Sequence, residues 1–348
     1  MNTTIQNTPS LLQQQIEPLL LQEAMALIQS AQRIALLAHE HPDGDCLGSA
    51  LGFTHILEQI GKACVPACAD PVPQSFTFLP GIERLQQSLG PVGAEPFDLV
   101  IALDAGELTR YGALYEQHKV FLDAVPILNI DHHISSQGCG RVNIIDPIAA
   151  STTELLVLFQ QQAQLPLTKD AAQCLLTGLI TDTSSFQFTS TTPRTMETGA
   201  IVLAAGAVAE TIVGPIYRTH SLAHVRLQAK VIEQIETACN GRLAWSYATQ
   251  ETLAASGATT DMDNNFSGFI RDIEGVQIAA FFKSYDEPDV TRLSLRCAAP
   301  YSAAEICSSL GGGGHARAAG ATIHKPLHEA ITQVVYVLKR TIEESTPA

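Results

Sequence analysis

The block His39-Glu40-His41-Pro42-Asp43-Gly44-Asp45 follows directly on the apolar run Ile34-Ala35-Leu36-Leu37-Ala38. One imidazole and two carboxylates, spaced four and then two residues apart, can turn toward a hard divalent cation. Three later segments repeat the grammar: residues 97–103 lead into Asp104, residues 125–130 into Asp131-His132-His133, and residues 175–181 into Asp182. A charged residue after one buried strand is ordinary, because chains leave a core through polar loops. Four such exits restricted to Asp and His form a pattern. His39, Asp43, Asp45, Asp104, His132 and Asp182 supply one bridging carboxylate and five further ligands, enough for a pair of divalent ions. The absence of Cys from this set disfavours zinc, and the imidazoles tilt the choice from Mg2+ toward Mn2+. Such a pair acidifies a bound water and neutralises charge on a phosphoryl group, so metal-activated phosphoester hydrolysis is the reaction class indicated.

Each piece has a plainer reading when taken alone. A lone Asp-His-His is most often a surface turn, and Asp45 could cap a helix that starts at Leu47. Ser49, Thr183 and Ser184 could support the ligands by hydrogen bonds or serve equally well as helix caps. The conjunction of the four blocks, each closing an apolar element, carries the inference.

The elements that must position these residues alternate. A helix fits residues 19–32, a strand begins at Ile34, and a helix over residues 47–60 precedes a short strand at 63–68. Strands then end at Asp104 and Asp131, helices fill residues 152–161 and 171–181, and the run before Asp182 reads as a strand or as a buried helix. Alternation of this kind means a mostly parallel sheet with helices on both faces, and ligands bind at the C-terminal edge of such sheets. From residue 193 to about 235 the chain reads as helical, with the Ala- and Gly-rich residues 199–209 as a tightly packed helix. Beyond Leu243 the period changes to alternating strands over residues 276–282 and 291–296, followed by a glycine run, a last strand and a C-terminal helix. The fold class expected is therefore α/β: a mostly parallel-sheet metal domain plus a smaller mixed-sheet α/β C-terminal domain, joined by a helical connector. The boundaries are a leader at 1–18, a metal domain at 19–192, a connector at 193–240 and a substrate domain at 241–345.

Composition narrows the function further. At 348 residues, 46% hydrophobic and only 16% charged, the chain has enough apolar surface for two cores and is not disordered. Its net charge of -15 argues against long duplex nucleic acid as a partner but leaves room for a short anionic substrate. The eight cysteines form no CxxC pair, so free thiols in a reducing cytoplasm are expected. No apolar run approaches the ~20 residues of a membrane span. In Gly311-Gly312-Gly313-Gly314-His315-Ala316-Arg317 the glycines permit close approach of backbone N–H groups to an anion, and His315 and Arg317 add donors. Arg296 is a second phosphate clamp candidate, Arg271 a weaker one, and Lys283 reads as a surface charge.

Together the four blocks resemble the DHH phosphoesterase superfamily, and the Gly-Gly-Gly-His segment resembles its DHH-associated C-terminal domain. The resemblance spans roughly residues 20–342 and is strongest to the bifunctional oligoribonuclease and pAp phosphatase group, the nanoRNases. It implies one metal held by His39, Asp43 and Asp104, and another held by Asp45, Asp104, His132 and Asp182, with Asp104 bridging two Mn2+ ions (Mg2+ or Co2+ as alternatives). It implies that Asp131 orients its neighbours and that His133 faces the scissile phosphate. Arg296, Gly313, Gly314, His315 and Arg317 are then the substrate-binding residues. The implied reaction is in-line attack by a hydroxide bridging the two Mn2+ ions. The implied substrates are short RNA oligonucleotides or linear dinucleotides and the mononucleotide bisphosphate 3′-phosphoadenosine 5′-phosphate (pAp), and the implied assembly is a homodimer.

Rival readings differ in testable ways. A cyclic-dinucleotide phosphodiesterase shares the motif set. A single-strand exonuclease would call for a longer chain with an added nucleic-acid-binding module. A family pyrophosphatase would carry a basic Arg-Lys-Lys motif that is absent here. A nucleotide-sensing binding protein would show degenerate metal motifs, whereas every expected ligand is present.

Overall fold

The computed structural model describes residues 16–262, 265–285, 287–314 and 316–344. Most of the expected leader, and His315, lie outside these residues. The chain divides into two compact units between Thr219 and His220.

The first unit is built on five parallel strands: β1 (Arg33–Leu37), β2 (Ala63–Ala67), β3 (Leu99–Leu103), β4 (Ile127–Asp131) and β5 (Val142–Ile145). They lie in the order β2-β1-β3-β4-β5, so the winding reverses between β1 and β3, and a crevice opens there beyond the strand ends. The strands are apolar on both faces because both are covered. On one face Leu36, Ile101 and Ile130 pack against α1 (Pro18–Ser30), α2 (Gly44–Glu58), α4 (Thr152–Gln162) and α5 (Lys169–Asp182). On the other, Leu37, Val100 and Ala102 pack against α3 (Ala113–Leu122). Helices α6 (Pro193–Ala204) and α7 (Glu210–Val213) complete the unit.

Two local outcomes differ from the sequence reading. Helix α2 begins at Gly44 rather than Leu47, because Asp43 is its cap, accepting from the N–H groups of Asp45 and Cys46 at 3.0 Å each. Asp45 is thereby carried into the first helical turn instead of capping it. The run before Asp182 is the buried helix α5, not a strand. Strand β5, only four residues long, has too short an alternation to stand out in the sequence.

The second unit holds a mixed six-stranded sheet in the order β10-β11-β9-β8-β7-β6. Its strands are β6 (Glu236–Ala238), β7 (Leu243–Thr249), β8 (Ile278–Ser284), β9 (Thr291–Cys297), β10 (Gly313–Gly314) and β11 (Ala318–Ile323). Only β7 and β8 run parallel. Helices α8 (Leu222–Glu233), α9 (Gln250–Ser256) and α10 (Phe266–Arg271) cover one face around Ala279 and Phe281. Helices α11 (Ala303–Ser309) and α12 (Leu327–Glu344) cover the other around Ile278, Ala280 and Phe282. Among the described residues no helix is long and apolar enough to cross a membrane.

Candidate metal centre

The four blocks converge at the C-terminal edge of the parallel sheet. His39 follows β1, Asp43 and Asp45 sit at the start of α2, Asp104 follows β3, His132 follows β4, and Asp182 ends α5. His39 Nε2 lies 3.5 Å from Asp104 Oδ2 and 3.8 Å from Asp43 Oδ2. His132 Nε2 lies 3.2 Å from Asp182 Oδ2, 3.5 Å from Asp104 Oδ1 and 3.9 Å from Asp45 Oδ2. The two oxygens of Asp104 thus face two different imidazoles.

Close helix packing makes this convergence reachable. Helix α2 presents Gly44, Gly48 and Gly52 to α5. A Cβ at Gly44 would meet the Thr181 side chain at 2.5 Å, and one at Gly48 would meet Cys174 O at 2.4 Å. Gly178 on α5 is in turn required by Asp45, whose Oδ1 would lie 2.4 Å from an added Cβ. Any larger residue along this seam would force α2 and α5 apart, and with them Asp45 and Asp182.

Backbone and side-chain hydrogen bonds aim the donors. His39 Nδ1 is 2.7 Å from Glu40 O and His132 Nδ1 is 3.3 Å from Ala149 O, so each ring donates from Nδ1 and turns the Nε2 lone pair inward. Asp45 is seated on the N-terminus of α4, accepting from the N–H groups of Thr152 at 2.6 Å and Thr153 at 3.0 Å. Two aligned N–H groups at a helix start stabilise a carboxylate buried from solvent. Thr152 Oγ1 donates to Asp104 Oδ1 at 2.9 Å. Asp104 itself adopts a left-handed backbone, φ 59°, where Asp is tolerated better than most residues. The fully buried Asn129 holds that turn, donating from Nδ2 to Ala102 O at 3.0 Å and Ala105 O at 2.9 Å. Behind α4, buried Arg194 pairs with Glu154 and Asp146 and anchors the helix start.

The electrostatics favour positive charge at this site. Burial, then the Asp182 charge, push Asp45 up to about 7. Burial raises Asp104 and Asp182 too, with the neighbouring carboxylates adding to it. Burial opposes charge on His132 as well, yet the surrounding carboxylates of Asp182, Asp45 and Asp104 push it up to about 10. Its buried Nε2 faces carboxylate oxygens, with Asp182 Oδ2 at 3.2 Å. Without metal those carboxylates hold a proton on this nitrogen, and a divalent ion among them would take the proton's place, so the residues fit a divalent metal. Cys46 lies within reach of His39 and Asp43, but burial and the Asp43 charge raise its thiol well above its ordinary value. The thiol keeps its proton and donates to Asp43 O, which leaves an oxygen and nitrogen donor set.

Asp131 is fully buried, and against the pull of burial its hydrogen bond with His133 holds it below the usual carboxylate range. His133 Nδ1 is 2.7 Å from Asp131 Oδ1, and its ring is partly open to solvent, with Nδ1 3.8 Å from Asp104 Oδ1.

In the second unit, Arg296 stands opposite Ala318 across the β9–β11 ladder, and Gly313 and Gly314 pair with Gly320 and Ala319 one step further. The glycine run is therefore a short antiparallel bridge, and a Cβ at Gly314 would strike Ala319 Cα at 2.6 Å. Arg296 is half-buried, and burial alone lowers its pKa; among the described residues its guanidinium has no hydrogen bond or ion pair. Arg317 is exposed and donates to Tyr301 O at 3.0 Å. Thr152, Asn129 and the glycine seam of α2 were not singled out from sequence. The Gly-x3-Gly-x3-Gly spacing at 44, 48 and 52 was the available signal for the last; Thr152 and Asn129 carry none.

An α/β domain with clustered carboxylates and imidazoles at its switch point defines a metal-dependent hydrolase class. Residues 33–179 match the model for the N-terminal domain of the DHH family, and residues 246–344 match the DHHA1 domain. A relative from Thermus thermophilus, named bifunctional oligoribonuclease and PAP phosphatase NrnA, is 31% identical over 83% of this chain and 84% of its own length. A cyclic-di-AMP phosphodiesterase, PdeA, of Listeria monocytogenes is 25% identical over 84% of this chain, which spans 45% of that longer protein. The solved structure of an exopolyphosphatase-related protein from Bacteroides fragilis superposes with a TM-score of 0.83 at 21% identity, over 94% of this chain and 97% of that one. The chain belongs to the DHH family and is an enzyme of the phosphatase and phosphodiesterase type.

Proposed function

We propose that this enzyme hydrolyses short oligoribonucleotides and linear dinucleotides to mononucleotides and removes the 3′-phosphate of pAp. The observation that carries the metal chemistry is the buried Nε2 of His132 within 3.2–3.9 Å of three carboxylates. His39, Asp43 and Asp104 would hold one ion, and Asp45, Asp104, His132 and Asp182 the other, with Mn2+ favoured by the mixed imidazole and carboxylate set. When bound, the pair supplies Lewis-acid polarisation of the phosphoryl oxygens and an acidified water. The protein's own part is to hold six donors rigidly and to keep Asp104 ionised through Thr152. His133 is fixed by Asp131 through Nδ1, which leaves Nε2 to carry a proton toward the departing oxygen. Arg296, with Gly313, Gly314 and Arg317 near it along the sheet edge and His315 as the sequence candidate beside them, would receive a terminal phosphate, since a half-buried guanidinium without an anion is poorly compensated. The short-RNA and pAp reading draws its support from the Thermus thermophilus relative, similar along most of both chains. The Listeria monocytogenes relative favours cyclic dinucleotides as the second reading.

The test places purified protein and Mn2+ with pAp, linear pApA, a cyclic dinucleotide and a five-residue RNA, and follows initial rates by chromatography. Faster turnover of pApA and pAp supports the proposal. A preference for the cyclic compound moves the enzyme to the second reading. No turnover by protein that binds Mn2+ sinks the substrate assignment.

A further inference from the structure

We propose that Arg292 and Lys283 form a second phosphate subsite in the second unit, one that grips the backbone of RNA longer than a dinucleotide. The inference rests on the short-RNA reading and adds to it a pair of residues that favours longer substrates. A cavity of ≈ 400 Å³ opens beside β9 and β11, and its lining includes Lys283, Arg292, Ser294, Gly312, Gly320 and Thr322. Neither Arg292 nor this cavity belongs to the clamp assigned to Arg296.

The charge pattern selects an anion. Lys283 and Arg292 stand directly opposite one another across the antiparallel β8–β9 ladder. Like charges at such a pair are destabilising unless something negative lies between them. No carboxylate is among the described residues that line the cavity, although the chain carries 35 acidic residues against 20 basic ones. On its other side Arg292 faces Thr322 of β11, a hydroxyl and not an acid. Arg292 is exposed, and among the described residues its guanidinium has no hydrogen bond or ion pair. Two cations and a hydroxyl donor on one wall suit the oxygens of a phosphodiester.

Spacing selects the length of the substrate. Along β9 residues 293, 295 and 297 are buried, while Arg292, Ser294 and Arg296 share the opposite, more open face. Arg292 and Arg296 are four residues apart, which sets their Cα atoms about 13 Å from each other at ~3.3 Å per residue. On the β8 side Ser294 is closed off by α10, whose Ser267 hydroxyl bonds to it at 2.9 Å. On the β11 side the partners are Ala318, Gly320 and Thr322, all small and half-buried or exposed. A nucleic-acid strand can therefore run along β11 from one arginine to the other. In pAp, and equally in pApA, the two phosphates are bridged by a single nucleoside and do not span that separation. A longer RNA does.

Binding is read on the full chain stripped with EDTA, by fluorescence anisotropy of an end-labelled five-residue RNA and of labelled pApA over a range of salt. Arg292→Gln, at an exposed position, should weaken the five-residue RNA about three- to tenfold, between the worth of an exposed ion pair and that of a charge-assisted hydrogen bond. The slope of log affinity against log salt should shrink by about 0.7 for that RNA, the value of one phosphate contact on a single strand. Labelled pApA, too short to reach Arg292, should bind this variant as tightly as wild type. Arg292→Lys keeps the charge and should keep the salt slope. The proposal is overturned if Arg292→Gln binds the five-residue RNA with wild-type affinity and slope, or if it weakens pApA as much as the longer RNA. Failure to hydrolyse pApA and pAp with Mn2+ would sink the short-RNA reading, whereas an unmoved salt slope sinks only this subsite.

Discussion

Replacing Thr152 by valine removes one hydroxyl and almost nothing else. The side chain is fully buried, valine matches its volume, and the N–H groups that seat Asp45 on α4 belong to the backbone and stay in place. What disappears is the 2.9 Å hydrogen bond to Asp104 Oδ1. Hydrogen bonds to charged groups contribute about 1.5–3 kcal/mol, and each ~1.4 kcal/mol is tenfold in affinity. The bond exists with and without metal, so that value is an upper limit. The part lost on metal binding is the orientation of Asp104 and its preference for the ionised form over the protonated one. Partners one step removed from a metal are worth about 10–100-fold in affinity, and Thr152→Val should weaken Mn2+ by that range. Titration calorimetry on EDTA-stripped protein measures it directly. Thr152→Ser keeps the hydroxyl and should bind nearly as wild type does. Because the proton competes with the metal at Asp104, the penalty should shrink as pH rises. If Thr152→Val binds Mn2+ with wild-type affinity and enthalpy, the role given to the α4 start in orienting Asp104 is wrong.

Other outcomes follow from the same geometry. Asp104→Asn should abolish binding of both ions and lower turnover by at least about a thousandfold, since metal stabilisation of phosphoryl transfer is worth several kcal/mol. The same variant should melt higher than wild type without metal, because it relieves the repulsion from Asp45, Asp43 and Asp182, and calorimetry of the two stripped proteins compares them. Gly48→Ala should destabilise the first unit by about 1–3 kcal/mol and also weaken Mn2+, as the new methyl presses on the Cys174 carbonyl and opens the α2–α5 seam; chemical denaturation and calorimetry read the two effects. The metal-free protein should lose stability as pH rises. Asp45 and His132 both have folded pKa values above their unfolded ones, so each contributes most below its unfolded value and loses that contribution as pH climbs through about 7 and about 10. Thermal midpoints in EDTA should fall steadily from about pH 5 to 9, and saturating Mn2+, which needs deprotonated ligands, should flatten or reverse the trend; a flat profile without metal would contradict the raised values.

Much of this protein is legible in its residues taken in order. The apolar runs before Asp104 and Asp131 announce buried parallel strands, because a strand covered on both faces has no polar side to show. The restriction of the exits to Asp and His announces donors for a hard cation, since side-chain chemistry travels with the sequence whatever the fold. The change of period after Leu243 announces a second sheet of different character. What the order of residues could not decide is which groups meet. The run before Asp182 is equally apolar as strand or helix, and only packing against α2 made it α5. Asp43, not Asp45, became the cap because the α2–α5 contact starts at Gly44. Thr152 and Asn129 are ordinary polar residues until β5 and α4 bring one against Asp104 and the turn after β3 brings the other beneath it. Donor identity is local chemistry, but the 3.2–3.9 Å separations around His132 come from residues far apart in the chain. Such distances are set by glycines that let helices touch and by backbone N–H groups aimed from another element, and neither is a property of any single segment.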